Sequence, residues 1–214
     1  MFITFEGLDF SGKSTQATLL VKKLQEAHTV HFIREPGGTP ISEKIRSILL
    51  DKKNSDMSDS AELLLFSASR SQLVTEVIGP ALLRGEFVVC DRYCDSTTAY
   101  QGYGRGLNLD AITTINSIAT ADTMPDLTIL VDIPIGEIGK RKTKAGLAFD
   151  RMESSGNQFY ERVQNGYRKL ALAEPGRWFR VDGLLPVDEI QQNIWETVEG
   201  KIKTDAGKTQ IHRN

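Results

Sequence analysis

The sequence predicts an α/β chain built on a parallel sheet with helices on both faces. Three observations carry this: five short runs are apolar almost throughout, segments with helical spacing separate them, and a glycine-rich turn joins the first run to the first helix. The expected strands cover 2–6, 28–33, 87–90, 127–132 and 178–181. Strands read this way when helices cover them on both sides. Helical spacing begins at 13–27, where Ala17, Leu20, Val21 and Leu24 share a face, and returns at 41–50 after the second strand. A long segment at 61–83 carries Leu64, Leu65, Ala68, Leu73, Val77 and Ile78. Further helices are expected at 109–121, 135–144, 158–173 and 187–202. Ligands of such a doubly wound sheet bind beyond the carboxyl ends of the strands. No internal repeat or long linker divides the chain, so one domain over 1–202 is expected, with 203–214 as a loose polar tail.

Composition removes several classes. The 26 basic and 28 acidic residues nearly cancel, for a net charge of −2, so no chain-wide positive field is available to hold a nucleic acid. Cys90 and Cys94 are the two cysteines, and His28, His31 and His212 lie too far from them in sequence to match zinc-ligand spacing. A reducing cytoplasmic compartment is expected. Met1 leads into the first strand without a basic segment and apolar stretch, and no run approaches about 18 apolar residues. Neither export nor a membrane is expected.

The turn between the first strand and helix reads Gly7-Leu8-Asp9-Phe10-Ser11-Gly12-Lys13-Ser14, which fits G-x-x-x-x-G-K-[ST] in the required strand–helix context. Glycine at each end lets the backbone curl its N–H groups inward, and the helix start adds partial positive charge. The expected ligand is a polyphosphate, held over Gly7–Thr15. Lys13 would reach the β- and γ-phosphates, and Ser14 would ligate Mg²⁺. Two similar strings fail. Gly207-Lys208-Thr209 has Ile202 at the first glycine position, and Gly102-Tyr103-Gly104-Arg105-Gly106 has Leu107 where a dinucleotide fingerprint needs glycine.

The acceptor is read from Phe87-Val88-Val89-Cys90-Asp91-Arg92, an apolar strand ending in an acid and an arginine. Asp91 suits Mg²⁺ or its water shell, the alternative being a surface salt bridge. Arg92 says more about the substrate. A hydroxyl acceptor calls for a carboxylate base, whereas a phosphate monoester is largely dianionic at neutral pH and needs cations, for which a planar guanidinium is well matched. A guanine-reading N-K-x-D string is absent, which disfavours a GTP switch. Another P-loop nucleoside or nucleoside monophosphate kinase stays open.

On these residues the chain resembles the thymidylate kinase family, in its bacterial form with a basic lid. The resemblance runs nearly end to end through FEGLDFSGKSTQ, REPGGT at 34–39, LLLFSASR at 63–70, DRY with STTAYQG at 91–102, and DRME at 150–153. It implies a P-loop nucleoside monophosphate kinase fold with a five-stranded parallel sheet, a homodimer, and transfer of the γ-phosphate of ATP to dTMP. Carried onto this numbering, Phe66 stacks on thymine, although on its apolar helix it also reads as a core aromatic, and Arg70 donates to a base carbonyl. Asp9 accepts from the sugar 3′-hydroxyl and orients Arg92, while Tyr100 packs under the sugar. Ser96, Thr97 and Gln101 complete the pocket, with Arg34 and Pro36 on its phosphate side. The basic span at about 141–153 reads as a lid that brings Arg141 or Arg151 to the transferring phosphoryl, its lysines being ordinary solvated charges. Some family members carry an arginine where this loop has Phe10, so Arg151→Ala is expected to lower turnover far more than Phe10→Ala. Adenine is expected near Val181-Asp182-Gly183.

Overall fold

The computed structural model describes residues 1–145, 151 and 156–211. Its sheet is five-stranded and parallel, in the order β2-β3-β1-β4-β5, with β1 Phe2–Glu6, β2 Val30–Arg34, β3 Phe87–Asp91, β4 Leu127–Asp132 and β5 Trp178–Asp182. The chain crosses from one side of β1 to the other, which opens the ligand crevice at the carboxyl end of that strand.

Alternation along β1 divides the core. Ile3 and Phe5 face α1 (Lys13–Leu24) and α9 (Val187–Ile211), packing with Leu20, Leu24, Ile194 and Val198. On the other face, Phe2 packs with Leu73, Ile78 and Tyr93, while Leu8 and Leu130 meet Tyr100, Phe159 and Tyr167. Thr4 and Glu6 are fully buried polar residues in a strand otherwise made of apolar ones. Thr4 pairs with the Thr128 hydroxyl at 3.0 Å. Glu6 belongs to the site.

The elements follow the sequence expectation, with differences at their ends. β2 begins and ends later than expected, and β3 and β5 each run one residue further. Their final residues Arg34, Asp91 and Asp182 pair in the ladder although they interrupt the apolar runs. The helix expected at 61–83 is wound in three parts. α3 Asp59–Leu73 starts at Ser58, whose hydroxyl accepts from Ala61 N–H, then a π-turn covers Val74–Ile78 and α4 covers Gly79–Leu83. Pro80 brings no N–H to the ladder, and Gly79 N–H reaches back five residues to Val74 carbonyl. α2 Pro40–Leu50 is capped by Thr39.

A helical stretch that the apolar pattern did not reveal spans α5 Cys94–Thr97 and a π-turn at Thr98–Gly104. Its Ser, Thr and Gly residues break the periodicity, yet packing holds it, because a Cβ on Gly104 would lie 2.6 Å from the Phe159 ring. α6 Leu109–Thr120, α7 Ile135–Ala145 and α8 Asn157–Ala173 complete the layers. α9 continues to Ile211, past the expected end at 202, with Glu199 and Lys203 paired one turn apart at 2.7 Å. Of the lid expected at about 141–153, residues 146–150 and 152–153 lie outside the described residues.

α5 is tied to the sheet by an ion pair. Arg177 grips Asp95 through two nitrogens, at 2.6 and 3.0 Å, and also reaches Thr128 Oγ1 at 2.7 Å. Arg177→Ala leaves Asp95, 5 % exposed, without its cation, so unfolding in urea should show a loss of about 3–5 kcal/mol. A loss under about 1 kcal/mol would show that the clamp is dispensable.

Candidate active site

The glycine-rich turn between β1 and α1 has the backbone its sequence requires. Gly7 sits at φ 136°, and a Cβ there would come within 2.5 Å of the Val131 carbonyl oxygen. Gly12 sits at φ 98° and begins α1, where no side-chain cap and no first-turn acid compete for the free N–H groups. Leu8 turns its side chain into the core and its carbonyl toward Lys13, 3.4 Å from Nζ. Lys13 is 6 % exposed, and burial, joined by the charge of Arg92, lowers its pKa against the pull of Asp91, Asp9 and Glu6. Ser14 donates its hydroxyl to Asp91 Oδ2. Among the described residues, Asp91 Oδ1 is buried without a partner, as is the Ser11 hydroxyl. A carboxylate with a spare oxygen beside the loop serine fits a hard divalent cation. Thr15 is exposed in the first turn of α1.

Beside the loop opens a cavity of about 250 Å³. Loop, β3 and α5 supply Asp9, Lys13, Ser14, Asp91, Arg92 and Ser96 to its lining; the π-turn adds Tyr100 and Gln101. Thr97, Phe66, Arg70, Arg34 and Pro36 close the wall, so every residue expected around the acceptor lies here. Phe66 is half-buried, lines the cavity and also packs on the core cluster around Leu8 and Tyr100.

Arg92 is the centre of the arrangement. It has φ 73°, a conformation that is strained in a residue bearing a side chain, held where Arg92 N–H bonds Phe5 carbonyl and Tyr93 N–H bonds Glu6 Oε1. Its Nη2 donates to Asp9 Oδ1 at 2.6 Å and to Tyr100 hydroxyl at 3.2 Å. Nη1 donates to Gly7 carbonyl at 3.0 Å, Tyr167 hydroxyl at 3.2 Å and Ser96 hydroxyl at 3.3 Å. The guanidinium also lies 5.0 Å from the Tyr100 ring centre. Burial works against the Asp9 charge, but Arg92 and Lys13 outweigh it and hold that carboxyl below its ordinary range.

Arg70 is differently occupied from the simple base-reading picture. At 1 % exposure it pairs with Glu35 through Nε and Nη2 at 2.8 and 2.7 Å, and donates to Thr97, Asn116 and Tyr93 carbonyl. Gln101 gives its amide to Glu62 at 2.8 Å. Arg34 and Arg46 both donate to Pro36 carbonyl, at 3.0 and 2.9 Å.

The two arginines assigned to the lid part company. Arg141 bridges the loop carbonyls of Phe10 and Ser11, at 3.3 and 2.9 Å, to the Gly183 carbonyl at 2.7 Å. It therefore ties the phosphate loop to the turn after β5 where adenine is expected. Arg151 instead pairs with Glu62 at 2.7 Å and donates to Leu49 carbonyl at 2.7 Å. The structure thus brings Arg141, and not Arg151, to the loop.

Glu6, Glu35, Arg46, Glu62 and Tyr167 escaped the sequence reading. Arg46 shares a helix face with Ser42 and Leu49 or Leu50, the face on which Ser42 donates to the Ser69 carbonyl of α3. Glu6 carries a signal too, as an acid closing an apolar strand just before the loop. Glu35, Glu62 and Tyr167 meet their partners only through tertiary contact.

A strand–loop–helix phosphate cradle beside a cation-lined cavity, on a 2-3-1-4-5 parallel sheet, defines a P-loop kinase of the nucleoside monophosphate class. The thymidylate kinase family model matches residues 5–194. A thymidylate kinase of Geotalea daltonii is 48% identical over 209 residues, covering 94% of this chain and 97% of its own length. One of Chlorobaculum parvum is 48% identical over 217 residues, covering 97% and 100%. A crystal structure of thymidylate kinase from Ehrlichia chaffeensis superposes with a TM-score of 0.76 at 33% identity, covering 93% of this chain and 98% of that one. The chain belongs to the thymidylate kinase family.

Because a Cβ at Gly7 has nowhere to go, Gly7→Ala should weaken ATP binding by at least roughly tenfold in titration calorimetry. ATP affinity equal to the parent's would mean that the loop tolerates the displacement.

Proposed function

We propose that this chain transfers the γ-phosphoryl group of ATP to dTMP, giving dTDP and ADP for dTTP synthesis. The observation that carries the reading is Arg92, a buried guanidinium on the cavity wall beside the phosphate loop. Each carboxylate lining the cavity already has a partner: Asp9 has Arg92, Glu35 has Arg70 and Asp91 has Ser14. Asp9 and Glu35 are held by arginines, and the spare oxygen of Asp91 beside Ser14 suits a cation rather than the proton of a hydroxyl, which favours a phosphate acceptor over a nucleoside.

In this reading the loop N–H groups of Gly7–Thr15 and the Lys13 ammonium hold the ATP phosphates. Arg92 holds the acceptor phosphate in line, and the two cations offset the repulsion between substrates. Asp9 takes the sugar 3′-hydroxyl while steadying Arg92, and Tyr100 forms the floor under the sugar. Phe66 stacks on the base. Arg70 reads a base carbonyl by exchanging the bond to Asn116, its longest at 3.3 Å. Ser96, Thr97 and Gln101 anchor these neighbours, and Arg34 and Pro36 line the phosphate side. Ser14 and Asp91 would hold Mg²⁺, which when bound neutralises charge on the β- and γ-phosphates. Arg141 acts at the donor side through its bridge between loop and adenine turn. For Arg151 to act on the phosphoryl group it must exchange Glu62 for the nucleotide.

The reading extends to a homodimer in the cytoplasm. Two buried free thiols suit a reducing compartment, and among the described residues no helix is long and apolar enough to cross a membrane. Leu64 of α3 and Ile118 of α6, 57% and 74% exposed, offer apolar surface for a second copy.

A steady-state assay with ATP and Mg²⁺ should yield ADP with dTMP and little with thymidine or UMP, and dUMP measures how strictly the base is read. Arg141→Ala should raise KM for ATP about tenfold and leave KM for dTMP within about twofold. Preference for thymidine, or a loss confined to dTMP in the variant, would overturn the assignment.

A further inference from the structure

Glu6 is the largest investment in the site that the reaction scheme leaves unused. It is fully buried at the end of β1, and its carboxylate accepts three bonds: from Tyr93 N–H on Oε1 at 2.8 Å, and from the hydroxyls of Ser96 and Tyr167 on Oε2 at 2.6 and 2.8 Å. The same two hydroxyls face Arg92 Nη1. Arginine has no acceptor atom, so both must present lone pairs to it. The two hydroxyls also lie 2.8 Å from each other, and with each single proton drawn onto Glu6 rather than between them, both keep lone pairs for Arg92. The Tyr93 bond acts at the backbone, fixing the residue that follows Arg92 and with it the strained φ of 73°.

We propose that Glu6 is a positioning residue for phosphoryl transfer, orienting the Arg92 guanidinium toward the acceptor phosphate through Ser96 and Tyr167. With Nη1 committed to Gly7, Ser96 and Tyr167, and Nη2 to Asp9 and Tyr100, Nε–H is left as the donor without a partner among the described residues. Loss of the Glu6 charge turns its Oε2 from acceptor into donor. One hydroxyl then spends a lone pair on Glu6, and its hold on Arg92 loosens. The inference rests on Arg92 serving the acceptor phosphate, as assigned above.

The surroundings make that loss accessible near neutrality. Asp95 and Cys94 of α5, Cys90 of β3, Lys13 of α1, Tyr167 of α8, and Arg92 with Tyr93 in the intervening turn are the titratable groups that face Glu6. Burial and the negative charge of Asp95 push the Glu6 carboxyl up to about 7, against Arg92 and the two hydroxyls. Ionised Glu6 therefore predominates above that pH and is lost as pH falls through it.

The test is the pH dependence of KM for dTMP in Glu6→Gln, which is neutral at every pH. At pH 8 the variant should show KM for dTMP raised about tenfold, with KM for ATP within about twofold. The ratio to the parent enzyme should shrink toward one by pH 6, where the parent's own Glu6 is protonated. The second ionisation of dTMP, near pH 6, is common to both proteins and cancels in the ratio. Glu6→Asp, which keeps a carboxylate, should restore the pH dependence. If Glu6→Gln does not fold, Tyr167→Phe carries the test, with a smaller rise in KM at pH 8 that also shrinks by pH 6. A KM ratio that is the same at pH 6 and 8, or within about twofold of one at pH 8, overturns the inference. Should Arg92→Ala itself leave KM for dTMP unchanged, the phosphate assignment fails instead.

Discussion

One guanidinium at a strand end organises this site. Arg92 stands where the apolar run of β3 stops, in a backbone conformation that β-sheet pairing on one side and the Glu6–Tyr93 bond on the other keep in place. Around it converge a loop carboxylate, Asp9, two tyrosines from different helical segments and a serine from α5. A buried charge of this kind is tolerated only when it is paired and hydrogen-bonded, and each of these partners answers that requirement. The loop, the sheet and α8 are thereby coupled: Asp9 cannot shift without moving Arg92, and Arg92 cannot shift without disturbing Glu6 and Tyr167.

The same logic sets the architecture around it. In the proposed reaction two nucleotides that share a negative sign would meet at the carboxyl edge of the sheet, where strand ends deliver side chains from distant parts of the chain to one crevice. Lys13 comes from the first helix, Arg92 from the turn after the third strand and Arg141 from α7. Acids interleave with these cations. Asp9, Glu35 and Asp91 offset part of the positive charge lining the cavity, and Glu62 pairs with both Arg105 and Arg151.

Much of this was legible in the residues. The phosphate loop is local chemistry, written in eight consecutive positions, and the parallel sheet follows from apolar runs that only two-sided burial explains. Arg92 was legible as well, because an arginine after a strand-end acid has a mechanical meaning. What stayed hidden depends on tertiary contact. Glu35 and Glu62 read as surface acids until Arg70, Gln101 and Arg151 are seen to close on them. Tyr167 lies in an ordinary amphipathic helix, and nothing in its neighbours says that its hydroxyl meets Glu6 across 161 positions. The Cys94–Gly104 stretch hid for another reason: its helical form is imposed by packing against α8 rather than by its own propensities. The carboxyl ends of three strands were misjudged by one residue because Arg34, Asp91 and Asp182 are polar where the ladder still pairs.

The account stands on Arg92 acting on the charge of the acceptor and not merely shaping the cavity. Calorimetric binding of dTMP and of thymidine to Arg92→Ala separates these directly. The account predicts that dTMP affinity falls by at least about a hundredfold while thymidine affinity stays within about threefold. Equal losses for both ligands, or none for either, would contradict it.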